Sequence, residues 1–224
     1  MPKKLIWDNV GERTYETGVK NGVLYPIDEA GEYSKGVAWN GLTKVSESPS
    51  GAESTDLYAN DSKYLSLLSA EKYAATISAY TFPDEFAECD GSAEITAGVR
   101  VGQQERKTFA FCYRTVLGND VKGDAYGYKL HMVYGCKASP SSKEHTSVNE
   151  SPEAVEMSWE INSTPVSVEG VSKPVYTIEI DSTKVKKENL EALEKIIYGS
   201  DEADARLPLP AEVFEIMKNA VAAG

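Results

Sequence analysis

Carboxylates offer the first candidate chemistry. Glu53, Asp56 and Asp61 crowd into SPSGAESTDLYANDSKY, the stretch over residues 48–64, together with Tyr58 and Tyr64. Oxygen-rich loops of this kind can hold calcium, but the spacing here is not the D-x-[DN]-x-[DN]-G of a helix-loop-helix calcium site, and scattered surface acids are mostly solvated. A second group, Asp84, Glu85, Glu88 and Asp90 in TFPDEFAECDG, follows Pro83 as acids do in the first turn of a short helix, where they favour the helix dipole. A third pair, Glu156 and Glu160, would share one face of a strand about 13 Å apart. Paired glycosidase carboxylates stand roughly 5–9 Å apart, so that pair is too widely spaced.

The remaining reactive side chains narrow the chemistry further. Cys89, Cys112 and Cys136 are odd in number, lie far apart and form no C-x-x-C, which suggests neither a disulfide framework nor a zinc site. His131 and His145 are the only histidines, too few for a multi-histidine metal centre. His131 sits in an alternating run, where the expectation is a satisfied strand histidine rather than a catalytic base. A Gly-rich phosphate loop, an H-E-x-x-H and a nucleophile elbow are all missing from the sequence. Nothing in these residues is strong evidence of catalysis, and no metal or cofactor is expected.

Charge and hydropathy bound the partners. With 35 acidic against 23 basic residues the formal net charge is −12, the wrong sign for binding that rests on Lys and Arg displacing counterions from phosphates. No apolar run approaches the roughly 20 residues needed to cross a bilayer, and MPKKLIWDNVGERTYE lacks the apolar stretch of a signal peptide. At 224 residues and 41% hydrophobic, the chain can bury a sizeable core.

The elements that would position these groups read mainly as strands. AVEMSWEI over residues 154–161 puts Val155, Met157, Trp159 and Ile161 on one face and Glu156, Ser158 and Glu160 on the other. FAFCYRTV (109–116) and YGYKLHMVY (126–134), joined by the turn-rich LGNDVKGDA, predict an antiparallel hairpin, with Tyr126, Tyr128, Leu130, Met132 and Tyr134 sharing a face. VAWNGL (37–42), KYAATISAY (72–80), AEITAGVRV (93–101) and VYTIEID (175–181) fit the same class. The expected fold is an antiparallel β-sandwich over residues 37–181 in a single 224-residue domain, preceded by an N-terminal segment 1–36. Residues 45–63 show no sustained period and predict a long early loop, which Leu57, Tyr58 and Tyr64 mark as one that orders against a partner. Over 182–224 the period becomes helical. Leu190, Leu193, Ile196 and Ile197 recur before Gly199, and a second helix from Pro210 lines up Val213, Met217, Ala220 and Val221.

Several strings in order, VGERTYETGVKNGVLYP, ESPSGAESTDLYANDSKY, AYTFPDEFAECDG, GQQERKTFAFCYRTVLGND, GYKLHMVYGCKASPSSKEHTSVNESPEAVEMSWEINSTPV and RLPLP, resemble the major tail proteins of long-tailed bacteriophages of Gram-positive hosts. The resemblance spans residues 10–210. It implies a non-enzymatic virion protein, made in the host cytoplasm, whose β-sandwich subunits form rings, commonly hexamers, that stack into the tail tube through which DNA leaves without specific binding. Implied partners are further copies of the chain and other tail proteins, such as the tape measure and tail terminator. Residues 45–63 would be the loop reaching the neighbouring ring, with Glu53, Asp56, Leu57, Tyr58, Asp61 and Tyr64 at the contact. The face bearing Glu156, Ser158 and Glu160 could line an acidic lumen or lie outside. A β-sandwich carbohydrate-binding or adhesive module is the alternative, with Trp7, Trp39 and Trp159 as possible stacking platforms.

Overall fold

The computed structural model describes residues 4–145, 147 and 154–218. Twelve strands and three helices follow along the chain: β1 (Thr14–Pro26), β2 (Val37–Trp39), β3 (Leu42–Glu47), β4 (Ser54–Ala59), β5 (Ser62–Leu68), β6 (Ala74–Ala79), α1 (Phe86–Cys89), β7 (Ala93–Thr96), β8 (Val99–Val101), β9 (Phe109–Asn119), β10 (Gly123–Ala138), β11 (Met157–Ser163), β12 (Thr177–Asp181), α2 (Lys187–Tyr198) and α3 (Pro210–Lys218). Eight of the strands form one sheet in the order β2-β1-β9-β10-β11-β6-β3, with β12 added on β10. Every pairing is antiparallel. The protein is mainly β, antiparallel, with its two longer helices, α2 and α3, at the C-terminal end.

One long strand turns this single sheet into two layers. β10 pairs with β9 along most of its length, while its other edge is shared by β12 at Lys129–Val133 and by β11 at Cys136–Ala138. The register slips between Val133 and Cys136, where Gly135 has φ +61, the left-handed conformation that a bulge requires and glycine supplies without strain. Beyond that bend, β11, β6 and β3 return over β2, β1 and β9. Trp159 of β11 meets Trp39 of β2 with ring centroids 5.6 Å apart, and a Cβ on Gly22 of β1 would come within 3.0 Å of Leu42 of β3. A Cβ at Gly135 would stand 2.2 Å from the Thr164 carbonyl oxygen, so Gly135→Ala combines a strained φ with a backbone clash. It is expected to cost at least about 1–3 kcal/mol in a urea titration.

Two apolar cores result. Leu24, Trp39, Ile77, Phe86, Phe109, Phe111, Val133, Trp159 and Ile161 fill the space between the layers. On the opposite face of β1, β9 and β10, Val23, Tyr25, Cys112, Leu130, Met132 and Tyr134 are covered by Leu190, Leu193 and Ile197 of α2, Val213 of α3 and Leu207. The strand β9 therefore buries both faces over Phe109–Tyr113, as a continuous apolar run demands. The helix period delivers its stripe to this second core, and Gly199 ends α2 at φ +80. Asn189, buried on α2, donates to the Met217 carbonyl of α3 at 3.0 Å. Met217 and Val213 take the expected face, while Ala220 and Val221 lie outside the described residues.

Three elements differ from the expected layout. Residues 14–26, set apart from the core by the sequence pattern, supply β1, paired with both β2 and β9; Gly18, Asn21 and Gly22 break the alternation that would mark a strand. AEITAGVRV is a hairpin, β7–β8, which turns at Gly98 (φ +77). Residues 45–63 are not a loop, because most of them are paired β-structure, described next.

A candidate assembly site on a projecting ribbon

The pairing of β3 with β6 continues outward past the edge of the body. The Ser48 amide donates to the Ala74 carbonyl at 2.8 Å, Ser50 and Lys72 exchange two backbone bonds at 2.8 and 2.9 Å, and the Ser69 amide donates to the Glu53 carbonyl at 2.9 Å. Gly51 and Ala52, at φ +89 and +54, redirect the chain, and β4 then pairs with β5 as a separate two-stranded sheet. The turn between them is Asn60-Asp61 with φ +50 and +58, the two-residue turn whose twist matches a hairpin's and which Asn and Asp accept more readily than other residues. Ten residues from Ser50 to the turn make an arm roughly 30 Å long.

Register sorts its side chains into two faces. Leu57 stands opposite Leu65 and Thr55 opposite Leu67 on one side, while Asp56 stands opposite Ser66 on the other. On the Asp56 side the carboxylate takes a 2.8 Å ion pair from Lys63 and the Ser66 hydroxyl bond, which together hold it below the usual range, and Leu68, opposite Ser54, is exposed on the same side. On the apolar side Leu57, Leu65 and Leu67 remain 41%, 38% and 55% exposed. Two-stranded hairpins are marginal in water, and a clustered apolar face on one is an interaction surface rather than scattered exposure.

Each sequence-derived contact residue can now be located. Tyr58 and Tyr64 are among the most exposed aromatics, Asp61 forms the tip, and Glu53 sits at the base, its amide donating to Ser69 Oγ at 3.0 Å. Asp56 is engaged within the hairpin itself. Leu65 and Leu67 were missed, although the alternation in KYLSLL carried their signal. Glu156, Ser158 and Glu160 are exposed, with Glu156 just before β11 and accepting from the Thr43 hydroxyl. Ser158 lines up with Ser78 and Lys44, and Glu160 with Thr76 and Ser46, across β11, β6 and β3. This face is polar and rich in hydroxyls, opposite the one that buries Trp159 and Ile161.

The other candidate chemistries disperse. Asp84 pairs with Arg100, Glu88 with Lys107 and Asp90 with Lys143, so the acids after Pro83 diverge toward separate bases. Among the described residues no three His, Cys, Asp or Glu side chains gather as a metal site, and no helix is long and apolar enough to cross a membrane. All three cysteines are free and buried, and burial pushes the thiol of Cys89 up to about 12. Trp39 and Trp159 are core residues at 3% and 0% exposure, which removes two of the three possible sugar platforms. Only Trp7 stands open.

His131 anchors a half-hidden titratable cluster. Its ring stacks on Tyr113 at 4.6 Å, Nε2 meets the Thr115 hydroxyl at 2.9 Å, and Glu16 of β1 and Glu179 of β12 lie 3.6 and 3.8 Å away. Burial lowers its pKa and outweighs Glu179, Glu16 and Glu47, which pull it up. The folded protein thus holds this imidazole neutral at a pH where the unfolded chain, titrating near 6.5, takes a proton. Its contribution is complete above about pH 6.5 and is lost as pH falls toward the depressed folded value. The urea midpoint is expected to drop between pH 7 and 5.5, and His131→Gln should flatten that slope. An equal slope in the variant would assign the acid sensitivity elsewhere.

No family model matches the chain, and no curated protein matches it. One solved structure with similarity is a chain of an extracellular contractile injection system, the PVC sheath-tube complex in its extended state, studied by cryo-electron microscopy. It shares 12% identity, covering 72% of this chain and 88% of that one, with a TM-score of 0.37. At that score the functional reading rests on the residues themselves.

Proposed function

We propose that the chain is a structural subunit that self-associates in rings stacked into a phage tail tube, a non-catalytic conduit for DNA, as its resemblance to major tail proteins implies. The observation that carries the assembly half of this reading is the β4–β5 arm. It leaves the body as a ribbon, exposes Leu57, Leu65 and Leu67 on one face, and is too thin to bury them itself. A neighbouring subunit is the covering surface. Hexameric rings, contact with tape measure and terminator proteins, and a place in the virion tail follow from the same resemblance.

Charge supports the conduit half. Each Lys or Arg lining a lumen would add a counterion-release contribution that holds DNA in place, whereas a surface with net charge −12 lets it slide. The face carrying Ser158 and Glu160 is mostly hydroxyls, with Lys44 on it as well, and is the part of the body sheet we assign to the lumen. Negative-stain microscopy of the concentrated wild-type chain tests the reading: rings or tubes are expected, and a monodisperse monomer at every concentration would contradict it.

A further inference from the structure

A second uncovered apolar element lies at the N-terminal end of β1. Leu5, Ile6 and Trp7 are 71%, 70% and 74% exposed, an unusual run of large apolar side chains to leave in water. The chain just after them is anchored. The Arg13 guanidinium donates to the Asp8 carbonyl, the Gly11 amide to Asp120 at 3.0 Å and the Asn119 side chain to the Gly11 carbonyl at 3.1 Å. Trp7 is therefore presented from the β9–β10 turn.

At the other end of β1 there is a cleft of about 350 Å³ between the end of that strand, the segment after it and α1, a size typical of pockets that take a compact ligand group. Pro26, Ile27 and Val37 give it apolar walls, Asp28, Glu85 and Glu88 bring carboxylates to its edge, and Lys35 and Lys107 line it as well. Glu88 is paired with Lys107. Glu85 has no ion pair among the described residues, and neither does Lys4, three residues before Trp7.

The same copy cannot join the two. From Trp7 to Thr14 the chain spans at most about 25 Å, whereas β1, in step with β9 from Asn119 to Phe109, carries the cleft roughly 33 Å from Thr14. We propose that residues 4–7 of one copy dock in this cleft on the next, with Trp7 on the Ile27 and Val37 walls and Lys4 toward Glu85. Donor and acceptor are different patches at opposite ends of one strand, so a single docking event leaves a free cleft on one copy and a free donor on the other, from which the contact can repeat from copy to copy. It rests on the self-assembly reading and adds a second link, independent of the β4–β5 arm.

Mixed cysteine variants of the full chain test it. Ile6→Cys and Lys35→Cys keep Trp7 and the apolar walls, and the native thiols are buried. Mild oxidation of an equimolar mixture is expected to give a disulfide-linked heterodimer, with no dimer from either variant alone. Adding Trp7→Ala to the Ile6→Cys chain should cut the yield at least fivefold. Tubes in the microscope without a heterodimer would overturn the docking site and leave the tube reading standing. Dimers of Ile6→Cys with itself, or a yield indifferent to Trp7, would also overturn it. Neither polymer nor heterodimer would overturn both proposals.

Discussion

Replacing residues 51–71 by Asn-Gly, so that Ser50 and Lys72 close a two-residue hairpin, is expected to give a folded protein that no longer forms tubes at concentrations where the wild-type chain does. The cut removes β4 and β5 whole and keeps the β3–β6 pairing, and neither apolar core contains a residue from the excised stretch. The body loses the bond from the Tyr176 hydroxyl to the Glu71 carbonyl, a minor change. The assembly loses its projecting leucines. Fully burying a leucine contributes about 1.5–3 kcal/mol, and because these three are already partly covered, about 1 kcal/mol each is the appropriate figure. Together they are worth roughly 100-fold in the concentration needed to polymerise. Replacing Leu57 and Leu67 by serine should reproduce most of that loss of assembly without changing the backbone. Tubes formed normally by the excised chain would sink the arm's role.

Trp159→Ala is expected to produce the largest loss of stability of any single core truncation. The indole is fully buried and meets Trp39, Phe82 and Phe86 with centroids 5.3 to 5.6 Å apart. It thereby ties β11 of one layer to β2 and α1 of the other. Removing it leaves a cavity between the two layers, and large aromatic truncations cost about 3–5 kcal/mol. Its Nε1 is buried without a partner, so Trp159→Phe loses less than volume alone would suggest, because it also removes an unpaired N–H. Equilibrium urea unfolding separates the two. A cost below about 1 kcal/mol for the alanine variant would mean the layers do not depend on this contact.

The sequence made the body legible where burial imposes a period. FAFCY and YKLHMVY read as strands because each must present apolar groups to a core, and the stripe of α2 was plain because only one side of it is covered. The arm was illegible for the complementary reason. With water on both faces, STDLYA shows no inside and outside, and Pro49, Gly51 and Ser69 around it look like loop. The surviving clues were local: Asn60-Asp61 as a turn and the alternating leucines after it. β1 was hidden by Gly18 and Gly22, which bend a strand that packs closely under Trp39 and Leu42. Three of the four acids near residue 84, Asp84, Glu88 and Asp90, looked like a cluster in sequence but belong to separate ion pairs, a fact that only the third dimension supplies.

The central claim is that the ribbon joins successive rings. A cryo-electron microscopy reconstruction of polymer grown from the wild-type chain measures this most directly. The account predicts that β4–β5 of each subunit lies on a subunit of the adjacent ring, with Leu57, Leu65 and Leu67 buried beneath it. A polymer in which the ribbon points into solvent, or in which those leucines touch only their own subunit, would contradict it.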